Sequence, residues 1–105
     1  MANVRIQIVR FLFADQPGFV EGKLVDAFGT SHRFQDKVPV LAVEDLWHDA
    51  EYPQPGLLAC EIVERWTSED GRELVRIDTE KPYDIESTNG EYRFVVTADQ
   101  LVDKA

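Results

Sequence analysis

Leu57-Leu58-Ala59-Cys60-Glu61-Ile62-Val63-Glu64-Arg65-Trp66-Thr67 and Glu73-Leu74-Val75-Arg76-Ile77-Asp78-Thr79-Glu80 are two strand-like runs, and Ser68-Glu69-Asp70-Gly71-Arg72 lies between them. Apolar and β-branched residues on both sides of an Asp-Gly pair are a strong hairpin signal. Asp70 suits the bridge region, and Gly71 supplies the positive φ that closes a type I turn with a G1 bulge. The register follows from charge. A two-residue Asp70-Gly71 loop sets Arg65 against Arg76 and Glu61 against Glu80, and like charges directly opposed are unfavourable. A three-residue loop, Glu69-Asp70-Gly71, sets Trp66 opposite Leu74, Glu64 opposite Arg76 and Val63 opposite Ile77, with Ile62 left facing Asp78. A four-residue loop restores Ile62 to Ile77 but puts Trp66 against Glu73. The three-residue loop is the preferred reading.

Upstream, Val4, Ile6 and Ile8 alternate with Arg5, Gln7 and Val9, a first strand with one buried face that runs on through Phe11 and Phe13. Asp15-Gln16-Pro17-Gly18 has the residue order of a type II turn. A second strand follows from Phe19 to Ala27. Phe28-Gly29-Thr30 turns the chain into a third strand, Ser31 to Asp36, paired with the second. Lys37-Val38-Pro39-Val40-Leu41 reads as extended and at an edge, because Pro39 cannot donate to a central ladder. Val43 to Glu51 breaks the strand pattern, and Glu44, Asp45, Leu46 and Trp47 suit a short helical turn with acids at its start. Tyr52-Pro53-Gln54-Pro55-Gly56 is irregular.

Downstream, Tyr83 to Ser87 and Tyr92 to Thr97 flank Asn89-Gly90, the preferred type I′ pair. That register sets Glu86 opposite Arg93 and Ile85 opposite Phe94. Thr97 with Gln100 reads as a capping box ahead of a short C-terminal helical turn, about Ala98 to Asp103. The chain therefore predicts one all-β domain over 1–105. It is a small antiparallel β-barrel, or barrel-like sandwich, of six to seven strands, with one helical turn in the 43–51 loop and another at the C-terminus.

The chain has 105 residues, enough for one core without staples. Its net charge of −9 comes from 20 acidic residues spread along its length. Such a surface repels phosphate backbones and anionic membranes, and it attracts a basic protein partner. The expectation is therefore no nucleic acid and no membrane. Acidic charge also simply serves solubility. The single cysteine, Cys60, sits in an apolar strand, so no intramolecular disulfide forms and no Cys-based metal spacing exists. Arg5 and Arg10 interrupt the N-terminal apolar run, which argues against a signal peptide and for a cytoplasmic location.

Few residues suggest chemistry. His32 and His48 share no ligand spacing with each other or with Cys60. His48 beside Asp45, Asp49 and Glu51 lacks the pattern of a calcium loop and reads as a solvated acidic segment. Ser31 and His32 are neighbours in a strand, so their side chains point to opposite faces. No nucleophile elbow, P-loop or dinucleotide fingerprint occurs. No catalytic residue, metal ligand or cofactor is expected. One stretch is distinctive: positions 38–64 hold no Lys or Arg but contain Glu44, Asp45, Asp49, Glu51, Glu61 and Glu64, with Trp47 and Tyr52 among them. Aromatics rimmed by acids suit a protein-binding hot spot. The competing reading folds Trp47 and Tyr52 back as a lid over the barrel end.

Gln16-Pro17-Gly18-Phe19-Val20, Asp26-Ala27-Phe28-Gly29, Lys37-Val38-Pro39-Val40, Tyr52-Pro53-Gln54-Pro55-Gly56, Asp70-Gly71-Arg72 and Ile85-Glu86-Ser87 occur in this order. Together they resemble a group of small bacterial single-domain all-β proteins without an assigned function. These are turns and strand ends, so the resemblance implies a fold and no active site.

The leading functional expectation is a non-catalytic acidic module, monomeric or weakly dimeric. It would hold a basic protein partner through Glu44, Asp45, Trp47, Asp49, Glu51 and Tyr52. An immunity-protein-like inhibitor of a basic toxin or enzyme is one version. The alternative is a small-molecule binder or enzyme with a pocket at one end of the barrel, lined by His32, Tyr83 and Glu86.

Overall fold

A computed structural model describes residues 2–13, 18–43, 46 and 50–103. The strands are β1 (Ala2–Phe13), β2 (Phe19–Val25), β3 (Ser31–Lys37), β4 (Gln54–Thr67), β5 (Glu73–Asp78), β6 (Arg93–Thr97) and β7 (Leu101–Asp103). A helical turn α1 (Val38–Leu41) follows β3, and a 3-10 turn (Ala98–Gln100) joins β6 to β7. The strands form one antiparallel sheet in the order β3-β2-β1-β4-β5-β6, curled into a half-barrel, and β7 pairs with β1. Among the described residues, no helix is long and apolar enough to cross a membrane.

β1 is the hub. Its alternating Val4, Ile6 and Ile8 enter the core, beside Val20 and Leu24 of β2, Phe34 of β3, Leu58 and Cys60 of β4, Val75 and Ile77 of β5, and Phe94 and Val96 of β6. Two register shifts against β2, between Ile8 and Arg10 and between Phe11 and Phe13, let the strand curl. Backbone hydrogen bonds from Ala27 N–H to the Val95 carbonyl (2.9 Å) and from Thr88 N–H to the Arg33 carbonyl (2.8 Å) draw the two ends of the sheet together.

The central hairpin has the charge-selected register near its turn: Trp66 faces Leu74 and Glu64 faces Arg76. Farther out, a bulge at Val63 restores Ile62 to Ile77 and moves Asp78 opposite Glu61. The expected Val63–Ile77 pair is thus replaced. The extra residue keeps apolar Ile62 on the side of buried Ile77, and Asp78 gains Arg93 at 3.1 Å.

Three turns share one construction. Asp26, Ser68 and Ser87 each accept, through their carbonyls, the N–H of the glycine three residues on (Gly29, Gly71, Gly90). Each also accepts, through its side chain, the N–H of the residue after that glycine: Thr30 at 3.0 Å, Arg72 at 3.1 Å and Glu91 at 3.0 Å. All three glycines have φ between 80 and 85°. The side-chain acceptor and the left-handed glycine fix a three-residue loop in every case.

Several segments depart from the sequence reading. Asn89-Gly90 belongs to such a three-residue loop, not to a type I′ pair: only Gly90 of the two has positive φ. Tyr83 to Ser87 is not a strand, so Arg93 and Phe94 face Asp78 and Ile77 instead of Glu86 and Ile85. Thr79 prevents the strand. It is fully buried, and its N–H and hydroxyl reach the Tyr92 carbonyl while the hydroxyl also donates to the Ile85 carbonyl. Ile85 then enters the core from a loop.

Lys37 to Leu41 is not an extended edge: Val38–Leu41 is α1, with Pro39 in the first turn, where a missing N–H costs nothing. The helical turn expected over Glu44, Asp45, Leu46 and Trp47 lies, apart from Leu46, outside the described residues. Leu101 to Asp103 is not helical; it forms β7 against Ala2 to Val4, since so short a helix has little stability of its own. The Asp15–Pro17 turn lies outside the described residues; Gly18 has the expected positive φ, 90°.

Candidate functional site

The longest strand is β4, and it serves two partners in succession. Gln54 to Cys60 pair with β1, whose ladder ends at Ala2 opposite Cys60. Glu61 to Thr67 pair with β5 on the other side. Among the described residues, the edge of Glu61 to Thr67 that continues the β1 line has no ladder partner. Unpaired strand edges are templates for another strand.

The side chains along this edge are open to solvent. Glu61, Ile62, Val63, Glu64 and Arg65 are all exposed, Val63 by 45%. Opposed residues share a face, so Ile62 and Arg65, opposite Ile77 and Val75, lie on the core side. There they rim a small groove of about 150 Å³ with Ala2, Ala98, Leu101 and Val102. Glu61 and Glu64, opposite Asp78 and Arg76, lie on the outer side. Glu64 holds Arg76, whose guanidinium lies 5.1 Å from the centre of the Trp66 ring. Glu61, Asp78 and Glu80 line a second groove of about 250 Å³ with Ile62, Val63, Lys81 and Arg93, and Asp78 holds Arg93. Glu61 and Glu80 make no ion pair among the described residues. The edge therefore offers a mainly apolar side with Arg65 at its rim and a charged side on which the Glu61 and Glu80 carboxylates are left unpaired.

The residues singled out from sequence are dispersed. Glu44, Asp45, Trp47, His48 and Asp49 lie outside the described residues. Glu51 is exposed, and its carbonyl accepts a hydrogen bond from the Gln54 side chain at 2.6 Å. Tyr52 is half-buried and packs against the core. His32 is held inward, with Nε2 2.8 Å from Asp26 Oδ2 and its ring edge-on to Phe94 at 4.7 Å. Tyr83 and Glu86 are exposed on the loop after β5. The grooves at the β4 edge are lined by other residues.

Electrostatics separate structural groups from available ones. Burial pushes the Cys60 thiol up to about 11, so it stays protonated and apolar at neutral pH. Burial raises the Asp26 carboxyl, but hydrogen bonds from His32 and from the Thr30 and Phe28 amides outweigh it and hold the group below its ordinary value. Glu21 behaves alike: burial raises it, and Gln35, Arg10 and Arg33 bring it below the ordinary range. Both carboxylates are committed within the sheet. Among the described residues, no three His, Cys, Asp or Glu side chains are grouped to hold a metal.

The open edge was missed in the sequence, although a signal was present. The run from Leu57 to Thr67 outlasts its β5 partner, and its unbroken apolar stretch Leu57-Leu58-Ala59-Cys60 gives way to a stretch carrying Glu61, Glu64 and Arg65. No protein-family model matches the chain, and neither does any curated protein or solved structure.

Proposed function

We propose that the protein is a non-catalytic, cytoplasmic, acidic interaction module that holds a basic protein partner, and that the partner adds a strand to the open edge of β4. The observation that supports this reading is the edge from Glu61 to Thr67, without a ladder partner among the described residues, mainly apolar on one side and carrying the unpaired carboxylates of Glu61 and Glu80 on the other. Backbone pairing would supply affinity, and alternate side chains would supply selectivity. A fitting strand carries Lys or Arg toward Glu61 and Glu64 and aliphatic residues toward Ile62 and Leu101. The net charge of −9 speeds encounter with such a partner. A second copy fits poorly. Two-fold pairing centred on this edge opposes Glu64 to Glu64 or Arg65 to Arg65, and like charges directly opposed are destabilising. Exposed Glu51 adds to the acidic field.

The test is titration with a short alternating Lys–Val peptide and its Glu–Val counterpart, followed by NMR. The Lys–Val peptide is expected to bind saturably, with shifts along Glu61 to Thr67, and to weaken as salt rises. Replacing Glu61 and Glu64 by Lys is expected to weaken it by about tenfold, or ~1.4 kcal/mol. Equal binding of both peptides, or binding indifferent to salt, would contradict the proposal.

A further inference from the structure

A different part of the molecule carries a second site. β1 changes neighbours along its length: β2 flanks it from Gln7 onward, opposite Lys23, and β7 flanks it up to Val4, opposite Leu101. Arg5 and Ile6 fall in the split between the two. In an extended strand, successive residues direct their N–H and C=O groups to alternate edges. One of these two residues therefore turns its backbone groups toward the split. The Gln100 side chain bridges it, donating to the Val25 carbonyl at 2.9 Å.

Above this split lies an open groove of about 520 Å³. Arg5 and Lys23 line it, with Gln7 between them, and Val25, Pro53 and Pro55 give it apolar walls. Among the described residues no carboxylate lines it, in a chain with 20 acidic residues. Arg10, Arg33, Arg72, Arg76 and Arg93 each hold a carboxylate. Among the described residues Arg5, Lys23, Lys37, Arg65 and Lys81 hold none, and of these Arg5 and Lys23 share this groove, where Arg5 is tethered by its hydrogen bond to the Asp99 carbonyl. Two cations and the Gln7 side-chain amide, beside a proline wall, match an anionic head group on a flat apolar body.

We propose that this groove binds a small organic anion, a carboxylate or phosphate monoester with an apolar body, held by Arg5 and Lys23. The site is separate from the β4 edge and stands or falls independently of it. Benzoate and phenyl phosphate are the probes, with benzyl alcohol as the neutral control, each titrated into labelled protein and followed by NMR. At least one anion is expected to give saturable shifts at Arg5, Gln7, Lys23 and Val25, and the better of the two identifies the head group. Lys23→Gln is expected to weaken it about fivefold or more, whereas Lys37→Gln, the same charge change away from the groove, leaves binding unchanged. Arg5→Gln is expected to weaken it comparably, checked against an unchanged amide spectrum elsewhere. Equal binding of benzyl alcohol, unsaturable shifts scattered over the surface, or equal effects of Lys23→Gln and Lys37→Gln would overturn the proposal.

Discussion

At the scale of single residues, two glycines show how closely the core is built. A Cβ on Gly56 would lie 2.7 Å from Ile8 Cδ1 and 2.8 Å from the backbone oxygen of Leu41. A Cβ on Gly22 would meet Ile6 Cδ1 at 2.9 Å, the mobile end of a side chain. Backbone cannot yield as a side chain can, so Gly56→Ala is expected to cost about 1–3 kcal/mol in urea unfolding and Gly22→Ala clearly less. Tyr92 gives a residue-scale test of charge. Its hydroxyl donates to Asp84 at 2.6 Å, and this bond, with the neighbouring acids, pushes the phenol up to about 12. The folded state favours the protonated phenol, so this contribution is present below the ordinary value of 10.0 and is lost as pH rises through about 12. Asp84 has φ of 54°, a conformation Asn also tolerates. Asp84→Asn is therefore expected to preserve the fold and bring the Tyr92 titration back toward its ordinary value, read by NMR of labelled tyrosine.

At the scale of elements, the repeated turn of Asp or Ser, two residues, then glycine explains why the hairpins were legible. The Ser68 and Asp26 turns announce themselves through Gly71 and Gly29, and the pairing of β2 with β3 follows directly. The three hairpin turns differ in strength. Asp26 accepts the Phe28 and Thr30 amides and pairs with His32, all from a side chain only 11% exposed. Ser68 offers a neutral hydroxyl at a more open turn. Asp26→Ala is expected to cost about 1.5–3 kcal/mol and Ser68→Ala nearer 1, measured by urea unfolding. Because the Asp26 carboxyl is held below its ordinary 3.8, its contribution is present above that pH and fades as pH falls below it. Asp26→Asn is expected to flatten that acid limb of a melting-temperature profile. Other elements were hidden for physical reasons. Pro39 reads as an edge-strand residue or as a first-turn helix residue, and only packing of Leu41 over Gly22 and Gly56 decides. Tyr83 to Ser87 has strand-like residues, but buried Thr79 captures the local carbonyls. Leu101 and Val102 join a strand because β2 leaves the start of β1 uncovered, a fact of topology with no local signature.

At the scale of the whole molecule, the half-barrel arises because β1 and β4 each divide their length between neighbours. β1 passes from β7 to β2, and β4 passes from β1 to β5. Each change leaves a gap: the cation-lined groove at Arg5 and the open edge from Glu61 to Thr67. The acidic surplus was legible at once, but its use was not, since charge counts do not say which strand lacks a neighbour. The expected binding loop contributes exposed Glu51, whereas Tyr52 turns to the core. The most direct measurement is residue-resolved amide hydrogen exchange along β4, with and without the Lys–Val peptide. In the free protein, the amides of Gln54 to Cys60 that face β1 should be protected, while outward-facing amides from Glu61 to Thr67 exchange faster by orders of magnitude. Added peptide should slow those outer amides and leave the inner half of β4 unchanged. Uniform protection along all of β4 in the free protein, or outer amides indifferent to saturating peptide, would contradict an open edge built for a partner strand.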